Sequence, residues 1–144
     1  MKNKIITGIL TICIIISLAA CGASSAMSKE DYQDAVSQIG VDIYTLSDNI
    51  ANINSKDIEE TKKALENSKE AFSKFLEITP PKEYADAHEK IKEGCKAMVD
   101  VIEQSSKALE TSDEAQKKEI EQKINQSLES ALYNLIDGSD LMGF

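Results

Sequence analysis

Few side chains in this sequence could carry chemistry. Its one histidine is His88, and its three cysteines are Cys13, Cys21 and Cys95. His88 and Cys95 could act as base and nucleophile only if they met, and seven residues of helix hold them about 10.5 Å apart along the axis, against the roughly 3 Å that proton transfer needs. A di-iron site of the helix-bundle type needs Glu-x-x-His pairs on two helices. Here the residue three before His88 is Ala85, and no second histidine exists. Haem gripped by His88 and Met98 fails for a similar reason, since both lie on one helix ten residues apart; a second axial ligand has to come from another helix, and Met142 stands in the tail. The sequence contains no Cys-x-x-Cys, glycine-rich phosphate loop or His-Glu-x-x-His, and no nucleophile motif supports serine chemistry. The expectation is a non-enzymatic chain without a cofactor. His88 keeps three readings: a structural imidazole on an apolar face, a ligand to a small molecule, metal or haem in the core, or a pH sensor. Burial would favour its neutral form in the first of these.

The third place where chemistry could occur is Cys21. Lys2 and Lys4 precede an uncharged stretch, residues 5–20, with Ile12, Cys13, Ile14, Ile15 and Ile16 at its centre, which is the arrangement of a secretion signal. Its 16 residues fall short of the roughly 20 that a helix needs to cross a bilayer core, so cleavage is the expectation rather than a permanent span. At its end, Leu18-Ala19-Ala20-Cys21 resembles the lipobox of bacterial lipoproteins, in which an aliphatic and two small residues precede the lipidated cysteine. The resemblance implies a diacylglyceryl group on the Cys21 thiol, cleavage between Ala20 and Cys21, and a new amino group open to acylation. At about 0.8 kcal/mol per buried CH₂, one acyl chain binds only marginally, whereas two give stable membrane attachment. Residues 21–28 then read as a lipidated flexible linker whose small residues span on the order of 15 Å.

Composition sets the class and excludes partners. Glycine (6) and proline (2) are scarce and tryptophan is absent, the profile of an all-helical protein. All 16 basic residues are lysine, and once Lys2 and Lys4 leave with the signal, 14 lysines face 25 acids, a formal charge of −11. Such a body repels phosphate backbones and has no arginine fork to grip them, which excludes nucleic acid as the expected partner. It is equally ill suited to adhere to anionic lipid, so membrane contact rests on the anchor. With Cys13 removed and the Cys21 sulfur capped, Cys95 is the one free thiol. It reads as a buried core cysteine or, failing that, a site of oxidation or intermolecular pairing.

Four elements must position these residues. Tyr32, Val36, Ile39, Ile43, Leu46, Ile50 and Ile53 alternate at steps of four and three, predicting a helix over about 29–54. Asp57 with Glu60 reads as a capping box for a second helix. Its inward side carries Ile58, Thr61, Leu65, Ser68, Phe72, Phe75 and Leu76, and it stops before Pro80. Thr79 can cap a third helix beginning at Pro80 or Pro81, with Tyr84, His88, Ile91, Cys95, Met98, Ile102, Ser105 and Leu109 on its stripe. Thr111-Ser112-Asp113 offers caps for a fourth. There Ile120, Ile124, Leu128, Ala131, Leu132, Leu135 and Ile136 form the stripe and Gly138 the C-cap.

Short connections force consecutive helices antiparallel, so the predicted fold class is all-α, an up-down-up-down antiparallel four-helix bundle over residues 29–138 behind the cleaved lipoprotein signal of residues 1–20. Residues 139–144 form a tail whose Leu141, Met142 and Phe144 can fold over one end. Six acid-first pairs at i,i+4 (Glu59–Lys63, Glu70–Lys74, Asp86–Lys90, Glu103–Lys107, Glu114–Lys118 and Glu119–Lys123) read as solvated faces giving modest helix support. On the first helix Glu30, Asp31, Asp34, Asp42 and Asp48 meet no lysine between Lys29 and Lys56, a face that is either a surface for a partner or cation or plain solvent exposure.

The segment from Thr79 to His88, Thr-Pro-Pro-Lys-Glu-Tyr-Ala-Asp-Ala-His, resembles a stretch of small uncharacterised helical lipoproteins of Gram-positive bacteria. That resemblance implies fold and location without an activity. The functional expectation is a lipid-anchored binding module on the extracytoplasmic face of the cell membrane, with an envelope protein or peptide as partner. A carrier of a small ligand, metal or haem in the bundle core is the alternative.

Overall fold

The computed structural model describes residues 26–51 and 57–143. The elements run α1 (Lys29–Ala51), α2 (Ile58–Phe75), a 3-10 turn (Lys82–Tyr84), α3 (Ala85–Glu110) and α4 (Glu114–Met142). The protein is all-helical among the described residues, and its four helices pack against one another.

Each start has a local cause. Ser28 opens α1, its Oγ accepting from the Asp31 backbone N–H at 3.1 Å while its hydroxyl donates to the Asp31 carboxylate at 2.6 Å. Asp57 caps α2 by accepting from the Glu59 N–H at 2.9 Å. Asp113 caps α4, accepting from the Ala115 and Gln116 N–H groups at 2.8 and 3.3 Å. The third helix departs from expectation: Pro81 precedes a 3-10 turn instead of opening α3, which begins at Ala85. A proline disfavours helical geometry in the residue before it, so Pro80 is held out of the helix by Pro81. Pro81 itself is extended at ψ 148°.

The first three stripes lie inward. On α1, Tyr32, Ile39 and Leu46 are buried at every seventh position, with Val36, Ile43 and Ile50 half-buried between them; Ile53 lies outside the described residues. On α2 the buried line is Thr61, Leu65, Ser68, Phe72 and Phe75, whereas Ile58, in the first turn, is exposed. The most deeply placed helix is α3, burying Ala87, His88, Ile91, Gly94, Cys95, Met98, Val101, Ile102 and Ser105. Large apolar side chains contribute about 1.5–3 kcal/mol each when fully buried. The buried hydroxyls are satisfied within their own helices: Thr61 donates to the Asp57 carbonyl, Ser68 to Ala64 and Ser105 to Val101, at 2.8–3.1 Å.

The fourth helix corrects the sequence reading twice. Gly138 is not its end; the helix continues to Met142 and is capped by Gly143, at φ +79°. Gly138 serves packing instead, because a Cβ there would lie 2.5 Å from Ile91 Cγ1 and 3.0 Å from the Ala87 carbonyl oxygen. Gly94 answers from α3, where a Cβ would meet Leu135 Cγ at 2.5 Å and the Ala131 carbonyl at 3.0 Å. Small residues seven apart, Ala87 and Gly94 on α3 with Ala131 and Gly138 on α4, thus let the two backbones touch. This close line, rather than the larger side chains, fixes the rotation of α4. Leu132 and Ile136 consequently turn outward, 40% and 62% exposed. Residues 139–142 of the expected 139–144 tail are instead the last turn of the helix, with Met142 packed on the core and Leu141 exposed; Phe144 lies outside the described residues.

Of the six expected i,i+4 pairs, Glu70–Lys74 and Glu119–Lys123 form, at 2.9 and 2.7 Å. Lys90 reaches Asp137 on α4 instead, Glu103 takes Lys69 on α2, and Glu114 takes Lys117. Lys62 joins α2 to Glu110 on α3 at 3.0 Å. The charges therefore tie neighbouring helices as well as single turns, though exposed pairs contribute little each.

Candidate functional site

The residues expected to bind signal peptidase and lipid, Leu18, Ala19, Ala20 and Cys21, lie outside the described residues. The remaining candidate, His88, stands where three helices and the 3-10 turn meet. It is 3% exposed. Its Nδ1 is 3.1 Å from the Tyr32 hydroxyl of α1, and its ring centroid lies 5.4 Å from that of Phe75 on α2 and 5.8 Å from that of Tyr32. Tyr32 also stacks on Tyr84, centroids 5.6 Å apart at 26°. The rim of this cluster is polar: Gln33 donates from Nε2 to the Tyr84 hydroxyl at 2.9 Å, and the Lys29 ammonium sits 5.3 Å from the Tyr84 ring centroid and 3.3 Å from Glu83.

Burial dominates the electrostatics here. It lowers the His88 pKa from the ordinary histidine value, with the positive charge of Lys92 adding to the effect and Glu89 opposing it. The imidazole is therefore neutral near pH 7. Burial raises the Tyr32 phenol, helped by the neighbouring Cys95, so Tyr32 keeps its proton and its hydroxyl shares a hydrogen bond with Nδ1 of the neutral ring. The elements packed on His88 offer it a phenol and a phenyl ring. Met98, the methionine considered for haem, is buried in the core on the same helix. Cys95 is fully buried, its thiol pushed up to about 12 by desolvation and then by the Asp42 charge. A thiol so held is a core side chain with no thiolate to react.

Away from this cluster, a groove of about 280 Å³ lies between α1 and α2, lined by Asp42, Thr45 and Asn49 of the former and Ala64, Asn67, Ser68 and Ala71 of the latter. Thr45 donates to the Val41 carbonyl at 2.9 Å and Asp42 accepts from Gln38 at 3.1 Å, so both serve their own helix. Asp42, part of the acidic face of α1, is partly desolvated, and its carboxyl is raised by burial, with Gln38 opposing the shift. A second groove, about 230 Å³ between α2 and α3, is flanked by Lys69 and Glu103, which pair with each other at 3.0 Å. Among the described residues no group of three or more histidine, cysteine and acidic side chains is placed to hold a metal ion.

The surface feature that sequence reasoning missed is apolar. Leu132, Tyr133 and Ile136 are 40%, 68% and 62% exposed, and spacings of three and four put them on one face of α4. Periodicity had placed Leu132 and Ile136 inside and given no weight to Tyr133. The signal that could have revealed the face is the seven-residue spacing of Ala131 and Gly138, which marks the true contact line. No family model, curated protein or solved structure matches the chain.

Proposed function

We propose that the chain is a membrane lipoprotein, anchored through a diacylglyceryl group on Cys21 and displaying a non-enzymatic helical binding module on the extracytoplasmic face of the cell. The observation that carries the anchor is Leu18-Ala19-Ala20-Cys21 at the end of an uncharged run behind Lys2 and Lys4. Binding is supported by the exposed apolar face of Leu132, Tyr133 and Ile136 on α4, in a chain of net acidic charge whose basic residues are all lysine. We read the module as an up-down-up-down bundle. In support, Lys62 and Lys69 of α2 pair with Glu110 and Glu103 of α3 in reversed order, and Gly94 and Gly138 match α3 and α4 in the same sense. The partner is an envelope protein or peptide with an apolar contact. A ligand carried in the core is the weaker reading, because Tyr32 and Phe75 already fill the space beside His88.

Growth on labelled palmitate tests the anchor. The unaltered chain should take up label, and Cys21→Ala should lose it while keeping its helical circular dichroism; label retained by the substituted chain overturns the assignment. Photo-crosslinkers placed at position 133 and at the exposed Lys63 position test the module in intact cells. A discrete adduct from 133 alone is expected, and equal or absent adducts from the two sites count against a binding face on α4.

A further inference from the structure

We propose that His88 is an acid-operated latch: its neutral imidazole holds the N-terminal half of α1 closed against the α2–α3 junction, and proton uptake loosens α1 while α3 and α4 stay paired.

The latch follows from what surrounds the ring. On its α1 side is Tyr32, fully buried, its hydroxyl 3.1 Å from Nδ1. On its α2 side is Phe75, which brings no charge. The 3-10 turn contributes Tyr84, whose hydroxyl is engaged by Gln33 and whose ring lies under Lys29. From its own helix come Lys92, which resists a second positive charge, and Glu89, which favours one; the former weighs more. The fourth helix packs on Ala87, Ile91 and Gly94, and its carboxylate on that stretch of α3, Asp137, is taken by Lys90. No carboxylate is hydrogen-bonded to the imidazole among the described residues.

Protonation makes both ring nitrogens donors, so the Tyr32 hydroxyl can then only accept from Nδ1. Protonation would also leave a cation in an aromatic cage. The faces of Tyr32 and Phe75 compensate such a charge only in part. Because the folded pKa lies below the unfolded one, closure is complete above about pH 6.5 and is lost as pH falls from there toward the folded value.

The first helix is the element that gives way. Among the described residues it buries Tyr32, Ile39 and Leu46, far fewer than α3, and its start is otherwise held by the Met27 N–H to Thr79 carbonyl bond at 2.9 Å, the Gln33–Tyr84 bond with the Tyr32–Tyr84 stack, and the exposed Lys29–Glu83 pair. In contrast, α3 and α4 meet backbone to backbone at Gly94 and Gly138.

Hydrogen exchange of the full chain, corrected for the intrinsic pH dependence of exchange, decides the matter. Between pH 7.5 and 5.0, protection across residues 30–46 should fall by about threefold or more relative to α3, and His88→Gln should remove that pH dependence. Constant α1 protection overturns the latch. So does an equal loss in α1, α3 and α4, or a loss that persists in His88→Gln. If His88→Gln fails to fold, the imidazole titration followed by NMR in the unsubstituted chain serves instead: a pKa below the ordinary histidine value with coincident broadening of α1 amides supports the latch, and a pKa above that value refutes it.

Discussion

Asp42 shows how much a single side chain's surroundings can alter an ordinary acid. It stands at the α1–α2 groove with its carboxyl raised by burial, so the folded state penalises its ionised form. Relative to the unfolded chain, that group favours folding below the ordinary aspartate pKa of about 3.9, and the advantage is lost as pH rises through the folded value. Asp42→Asn should therefore raise the urea midpoint at pH 7, since the amide oxygen can still accept from Gln38, and the gain should shrink to nothing near pH 3. An equal gain at both pH values would show that the charge is not the cause. Nothing in the sequence around Asp42 distinguishes it from Asp34 or Asp48, because its desolvation comes from burial at the groove with α2, a neighbour remote in sequence. His88 and Cys95 were legible as buried residues for the opposite reason: both sit on the apolar stripe of their own helix. The sequence could not supply the Tyr32 hydroxyl, 56 positions away along the chain, as the partner of His88.

Two glycines inside helices separate propensity from packing at the scale of the element. At Gly40 an added Cβ would meet nothing within 4 Å, so Gly40→Ala should stabilise the protein by about 0.5–1 kcal/mol through helix propensity alone. At Gly138 the same addition would meet Ile91 and the backbone of Ala87, and backbone cannot swing aside as a side-chain tip can. Gly138→Ala should cost about 1–3 kcal/mol from overpacking, partly offset by the same propensity gain. Thermal and urea melts of the two variants would check this, and a Gly138→Ala protein as stable as Gly40→Ala would mean that the α3–α4 contact is looser than described. The same residue explains a failure of sequence reading. A glycine following an apolar stripe looks like a helix stop, and the information that makes it a contact residue lies on another helix. Caps were more legible because Asp57 and Asp113 act within three residues of themselves. The ion pairs were less so: Lys90, Glu103 and Glu114 each had a nearby partner in sequence and found a different one in space.

At the scale of the whole molecule, the helical class was legible from composition and period, because three of the four stripes point where their spacing says. The outward turn of Leu132 and Ile136 was not, since it depends on how closely α4 approaches α3. That close approach bears on the order in which the chain assembles. The α3–α4 pair is joined by three residues, 111–113, so its contacts close a short loop at little entropic cost, whereas Tyr32 must find His88 across more than fifty. The α3–α4 hairpin is accordingly expected to be formed in the folding transition state and α1 to dock afterwards. Stopped-flow chevrons would read this directly: Ala131→Gly should slow refolding with little effect on unfolding, while Leu46→Ala should accelerate unfolding and leave refolding nearly unchanged. The reverse pattern would place α1 in the nucleus. With the nucleus in the carboxy-terminal half, a chain that emerges from its amino terminus holds α1 and α2 without the α3–α4 hairpin to dock on until nearly all of it has emerged, leaving Leu46, Leu65 and Phe72 open to chaperones for the length of that delay.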